Sequence, residues 1–84
     1  MLSDNELEEI RKRIENASLG PWNAFVEGRD FESGSSFIQT GTGDIELIGA
    51  TEADYDFIAN ARQDIPRLLD EIVRLRKISV NGCD

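Results

Sequence analysis

The chain has 84 residues, 39% hydrophobic and 31% charged, with a net charge of −8 and no histidine. That length suits one domain with a modest core, to which association with a second chain would add stability. No run of about 18 apolar residues occurs, which argues against a membrane-spanning helix. The acidity argues against duplex nucleic acid as a partner, because phosphates would be repelled.

The first predicted element is a helix over about residues 4–18. Ser3-x-x-Glu6 is a capping box. Leu7, Ile10, Ile14 and Ala17 follow at spacings of three, four and three, which puts them on one face. Gly20-Pro21 supplies a stop. Trp22–Val26 has no helical period and reads as a strand. Gly28–Gly34 reads as a loop, and Ser35–Thr40 as a second strand around Phe37 and Ile38. Gly41-Thr42-Gly43 makes a hairpin turn into a third strand over Asp44–Ile48, where Ile45 and Leu47 alternate against Glu46 and Ile48.

Thr51 can cap the next helix, with Glu52 and Asp54 in its first turn. Phe57, Ile58 and Ala61 are its expected buried side. Pro66 cannot donate a backbone amide, so the pattern predicts a kink or break near Gln63, with Asp64 as a new cap. A final helix of about 65–78 follows, with Ile65, Leu68, Leu69, Ile72 and Leu75 as its apolar face. Residues 81–84 are the expected frayed tail after a single domain of residues 1–80. The predicted fold class is α+β: an N-terminal helix, a three-stranded antiparallel meander and a broken C-terminal helix packed on the sheet. The apolar face of the final helix is either plain core or a seam for a homodimer or higher homo-oligomer.

Charge is uneven along the chain. Residues 1–20 carry −2, residues 21–56 carry −7 and residues 57–84 carry +1. An acidic centre suits a basic protein surface and speeds encounter with it. The plainer reading is that it keeps a small protein soluble. The acidic N-terminus lacks the apolar stretch of a signal peptide, and Cys83 is the only cysteine, so an intracellular location is the expectation.

The strongest chemical statement is negative. With no histidine, the commonest general base at neutral pH is missing, and so are serine–histidine and cysteine–histidine nucleophile systems. No zinc ligand set exists. Glu52, Asp54 and Asp56 alternate like a calcium loop, but they lie in a helical pattern without the central glycine. No metal, cofactor or catalytic residue is therefore expected. Two binding surfaces remain. Trp22, Arg29, Ser35, Ser36, Arg62 and Arg67 could line an anion or nucleotide site, with base stacking on the tryptophan. Each also has a structural reading: core for Trp22, a solvated loop for Arg29–Ser36, and pairing with Glu52, Asp56 or free carbonyls for Arg62. Glu27, Asp30, Glu32, Asp44 and Glu46 could instead form an acidic face for a protein partner.

Two segments carry a resemblance. Ala17-Ser18-Leu19-Gly20-Pro21-Trp22 resembles the A-(S/T)-x-G-P-W segment that ends the first helix of many short phage and prophage proteins. Phe57-Ile58-Ala59-Asn60-Ala61-Arg62-Gln63-Asp64-Ile65-Pro66-Arg67-Leu68-Leu69 resembles their FIA-x-AR-x-D-(I/V)-P-x-LL segment, and Glu71–Arg76 resembles the helix tail that follows. The chain is thus similar to the Ead-like early-region proteins of lambdoid phages. Residues 23–50 show no family pattern. The resemblance implies an accessory role in the cytoplasm of a host bacterial cell, and it brings no active site. It leads to the expectation of a non-enzymatic counter-defence binder that sequesters a host immune nucleotide signal or blocks a defence protein. The alternative is an acidic immunity or antitoxin-like protein that neutralises a basic partner.

Overall fold

The computed structural model describes the backbone of residues 1–82 and the side chains of residues 1–77. It shows an α+β fold: one helix, a three-stranded antiparallel sheet, and a second, long helix. Among the described residues no helix is long and apolar enough to cross a membrane.

Helix α1 spans Asp4–Asn16. Both halves of the capping box form. The Glu6 amide donates to Ser3 Oγ at 3.1 Å, and the Ser3 amide donates to Glu6 Oε1 at 2.9 Å. Leu7 is buried, while Ile10 and Ile14 are half-buried. The helix ends earlier than the glycine signal suggests. Ala17 is already extended, and its amide donates to the Ile14 carbonyl. Gly20 is not a left-handed cap; it lies beside the Arg62 side chain.

The strands β1 (Asn23–Phe25), β2 (Phe37–Gln39) and β3 (Asp44–Ile45) form a meander in that order. Ala24 faces Ile38, which faces Ile45. All three strands are shorter than the sequence predicts, and side chains take amides that follow β1 and β3. Val26 N–H donates to Asp30 Oδ2, Glu27 N–H to Ser36 Oγ, and Leu47 N–H to the Tyr55 hydroxyl. An amide used this way needs no ladder partner. The β2–β3 turn is closed around Thr40. Its amide donates to Gly43 O at 2.7 Å, and its Oγ1 accepts from Gly43 N at 3.0 Å. Gly41 is required by close approach, since a Cβ there would sit 2.8 Å from the Leu19 carbonyl oxygen.

Helix α2 spans Glu52–Gly82 without interruption. Thr51 caps it: Asp54 N–H donates to Thr51 Oγ1, and Thr51 N–H donates back to Asp54 Oδ2. The break expected near Gln63 is absent, Asp64 caps nothing, and Pro66 lies inside the helix. The lost amide costs about 3 kcal/mol in a helix interior, yet both halves of α2 hold fixed partners. Tyr55 and Ala59 pack on the sheet. The second half lies antiparallel to α1, with Arg11 Nη2 at 3.2 Å from Asp70 Oδ1 and Arg76 Nη1 at 2.8 Å from Asp4 Oδ1. A break would turn one half away from its partner. Of the tail expected at residues 81–84, Asn81 and Gly82 belong to α2, and positions 83 and 84 lie outside the described residues.

The core joins Val26 and Ile38 of the sheet region to Tyr55 and Ala59 of α2, with Trp22, Ala24, Ile45 and Leu47 around them. Ile38 is fully buried. The buried side of α2 is therefore not the expected one. Tyr55 and Ala59 face the sheet, whereas Phe57 is 75% exposed and Ile58 is also exposed. Of the five residues expected inside farther along, Leu69 is buried and Ile72 half-buried, but Ile65, Leu68 and Leu75 are exposed. Alanine at position 59 lets α2 approach the strands closely, which a larger side chain there would prevent.

Candidate functional site

The sheet has two unlike faces. Side chains alternate along a strand, so with Ala24 and Ile38 against α2, Phe25 and Phe37 point to the opposite side. They are direct register partners, and their rings stack with centroids 5.2 Å apart. Phe31, from the loop between β1 and β2, tilts onto Phe37 at 5.9 Å. Among the described residues α1 contacts α2 but not the sheet, and α2 packs on the opposite side, against Ala24 and Ile38; all three rings are half-buried. Asp44 lies on the same side in β3, beside Gln39. Glu46 follows one step beyond Ile45, Glu27 precedes the loop that carries Phe31, and Glu32 lies within that loop; all four acids are exposed. The outer face is an aromatic patch with an acidic rim.

The Gly28–Gly34 loop is held in shape. Gly28 takes a positive φ of 82°, and its amide donates to the Phe31 carbonyl. The Arg29 and Asp30 amides both donate to the Val26 carbonyl. Arg29 is the hub. Its Nη1 donates to Asp56 Oδ2 at 2.7 Å and to Glu52 Oε1 at 2.8 Å, and its Nη2 donates to Asp30 Oδ2 at 2.8 Å. Glu52 and Asp56 are four residues apart, so they share a side of α2 and converge on one guanidinium. Arg29 holds the Asp56 carboxyl below the usual range. It does the same to Asp30, aided by the Val26 amide. Three carboxylates raise the Arg29 pKa in return, Asp56 most of all.

The residues expected to line an anion site are dispersed. Trp22 and Arg62 do meet, but on a shared backbone acceptor. Trp22 Nε1 donates to the Ser18 carbonyl at 3.0 Å, and Arg62 Nε donates to the same oxygen at 3.2 Å. Gln63 completes this joint. Its Oε1 accepts from the Trp22 amide, and its Nε2 donates to the Trp22 carbonyl. Together they anchor the α1–β1 connection to α2. Arg29 is engaged elsewhere, in the carboxylate cluster. Ser36 Oγ accepts from Glu27 N–H, its carbonyl accepts from the Tyr55 hydroxyl, and Ser35 is exposed. Arg67 borders a shallow groove with Asp64, Leu68 and Glu71. The acidic set stays closer together, except that the Asp30 carboxylate is committed to Arg29 and Val26.

Sequence reasoning missed the phenylalanine trio. The signal was present in the alternation of Phe25 against Ala24 and of Phe37 against Ile38, but it requires knowing which face α2 covers. Comparison with protein-family models, with curated proteins and with solved structures found no match to this chain.

Proposed function

We propose that this chain is a non-enzymatic phage or prophage accessory protein that blocks a host defence protein by direct contact through the outer face of its sheet. The observation that carries this reading is the Phe25–Phe37–Phe31 patch on the face that neither helix covers. Glu27, Glu32, Asp44 and Glu46 are the acids around it. Aromatic faces and carboxylates side by side suit an arginine-rich surface, since a guanidinium stacks on a ring and pairs with a carboxylate at once. Acidity adds attraction at long range. The phage setting rests on the resemblance of residues 17–22 and 57–69, and the absence of histidine favours binding over catalysis.

Between the two counter-defence mechanisms, blocking a protein fits better than sequestering a nucleotide. The one base of the acidic centre, Arg29, already serves three carboxylates. An anionic signal would have to displace them. Neutralising a basic toxin would use the same acidic face, so that alternative differs in partner rather than in surface.

The test is phage plating on bacteria that carry defined defence systems. Expression of the wild-type chain is expected to restore plaques on at least one defended strain. A Glu32→Lys, Glu46→Lys double variant is expected to lose that effect while keeping its helicity. Asp30 is left unchanged because its carboxylate holds the loop. Protection that survives the double reversal would refute the assignment of this face. Thermal shift with cyclic and ADP-ribose-type nucleotides provides the second arm. A bound signal at 100 times its Kd would stabilise the protein by about 2.7 kcal/mol, and such a shift would replace the blocking mechanism with sequestration.

A further inference from the structure

A second surface lies along α2 and is independent of the sheet. Ile58, Ala61, Ile65, Leu68, Ile72 and Leu75 follow one another at spacings of three and four, the repeat of a coiled-coil seam. In this structure the seam is open at Leu68, 60% exposed, and Leu75, 50%, with the neighbouring Phe57 at 75%, while Ala61 and Ile72 are half-buried. It is also continuous with the apolar groove that α2 forms with Ile10, Ile14 and Ala17 of α1. Helices α1 and α2 are thus an antiparallel pair with one greasy side uncovered, like half of a four-helix bundle.

We infer that α2 pairs antiparallel with α2 of a second copy of this chain, forming a two-fold symmetric dimer. Three features select that occupant and that direction. First, the seam reads the same when reversed. Ile58 falls opposite Leu75, Ala61 opposite Ile72, and Ile65 opposite Leu68, and each pair recurs on the other side as a two-fold axis requires. Second, the axis so defined falls between Pro66 and Arg67, and α2 runs from Glu52 to Gly82, centred on Arg67. The two helices therefore overlap along their length to within one residue at each end. Third, the charge is split about that axis. Residues 52–64 of α2 carry four acids against Arg62. Residues 65–77 carry Arg67, Arg74, Arg76 and Lys77 against Asp70 and Glu71. Arg29 and Asp30 cancel one another and leave the first half negative. Antiparallel pairing sets the negative half over the positive half, and parallel pairing would set like on like. The dimer places its two sheets at opposite ends, with both outer faces free.

The first experiment is sedimentation velocity on the full chain, with Leu68→Glu as the variant. The wild type is expected at twice the chain mass. Leu68 is exposed in the single chain, so L68E is expected to keep its helicity while its dimer dissociation constant rises ~100-fold or more, because a carboxylate would be buried against Ile65 of the second copy. A monomeric wild type, or an L68E protein that dimerises unchanged, would refute the pairing. Direction is read by oxidative cross-linking in a Cys83→Ser background. I58C chains mixed with L75C chains are expected to form a disulfide-linked heterodimer, and I58C chains alone are expected to form none. Cross-linking of I58C to itself would make the pairing parallel and overturn the inference.

Discussion

Arg29 illustrates how one side chain acquires its role from its neighbour in the loop and from a turn of α2 more than twenty residues away. In sequence it is the lone base of an acidic centre, which suggests an anion site. In the fold it joins the loop that carries it to the first turns of α2 through Asp30, Glu52 and Asp56. These groups are exposed, so the cluster orients the loop more than it stabilises the fold. Its pH dependence has a definite sign. Arg29 lowers the pKa values of Asp30 and Asp56 below their ordinary 3.8. A carboxyl whose pKa is lower in the folded than in the unfolded state contributes stability above the unfolded value, and that contribution is lost as pH falls through the folded value. The wild type is therefore expected to lose this increment below about pH 4. Arg29→Gln should melt lower at neutral pH and fall less steeply with acid, so that the two melting curves converge once both carboxyls are protonated. Thermal midpoints measured across that range, at low and high salt, check both the slope and its screening.

Tyr55 is the buried counterpart of that hub. Its hydroxyl accepts from Leu47 N–H and lies within bonding distance of the Ser36 and Leu47 carbonyls. One phenol thus serves the ends of two strands. Periodicity cannot assign such a role, because it depends on where the oxygen ends up rather than on the apolar ring.

At the scale of elements, α1 was the most legible. Its capping box and its 3-4-3 spacing are local signals, and both appear as read, with the end a few residues early. The strands were legible in number and order but not in length, since amides that follow β1 and β3 go to Asp30, Ser36 and Tyr55 instead of to a ladder. Helix α2 was the least legible. Pro66 normally marks a boundary, but continuous packing on the sheet and on α1 overrides that preference. Pro66 still lacks the amide that would donate to the Arg62 carbonyl four residues earlier. Pro66→Ala is therefore expected to raise stability by about 1–3 kcal/mol, read from chemical denaturation with an unchanged m-value. A loss of stability would mean that the proline ring is needed for packing beside α1.

At the scale of the whole molecule, a small sheet is covered on one side by a helix that extends well beyond it. The extents of 59 × 22 × 20 Å reflect that long helix. Burial is therefore concentrated where α2 crosses the strands. Ile38, at 0% exposure, is the centre of that contact. Ile38→Ala is expected to cost about 2–5 kcal/mol, a large fraction of the stability of a domain this size, measured by denaturant midpoint. The same geometry leaves the outer sheet face and the α2 seam uncovered, one rich in phenylalanine and acid, the other self-complementary.

The amino-acid sequence by itself determined the α+β class, the order of the elements, the N-terminal caps of both helices and the lack of histidine chemistry. Each of these rests on contacts within a few residues or on composition alone. Only the tertiary structure decided which side of α2 is buried, that Pro66 does not interrupt it, that Arg29 pairs with Asp30, Glu52 and Asp56, and that Phe25, Phe31 and Phe37 share one face. Most of those outcomes depend on groups more than twenty residues apart competing for the same contact. Helical periodicity offers Phe57 and Ile58 as readily as Tyr55 and Ala59. What separates the two pairs is how closely a helix can approach a sheet, and that distance exists only once both are in place.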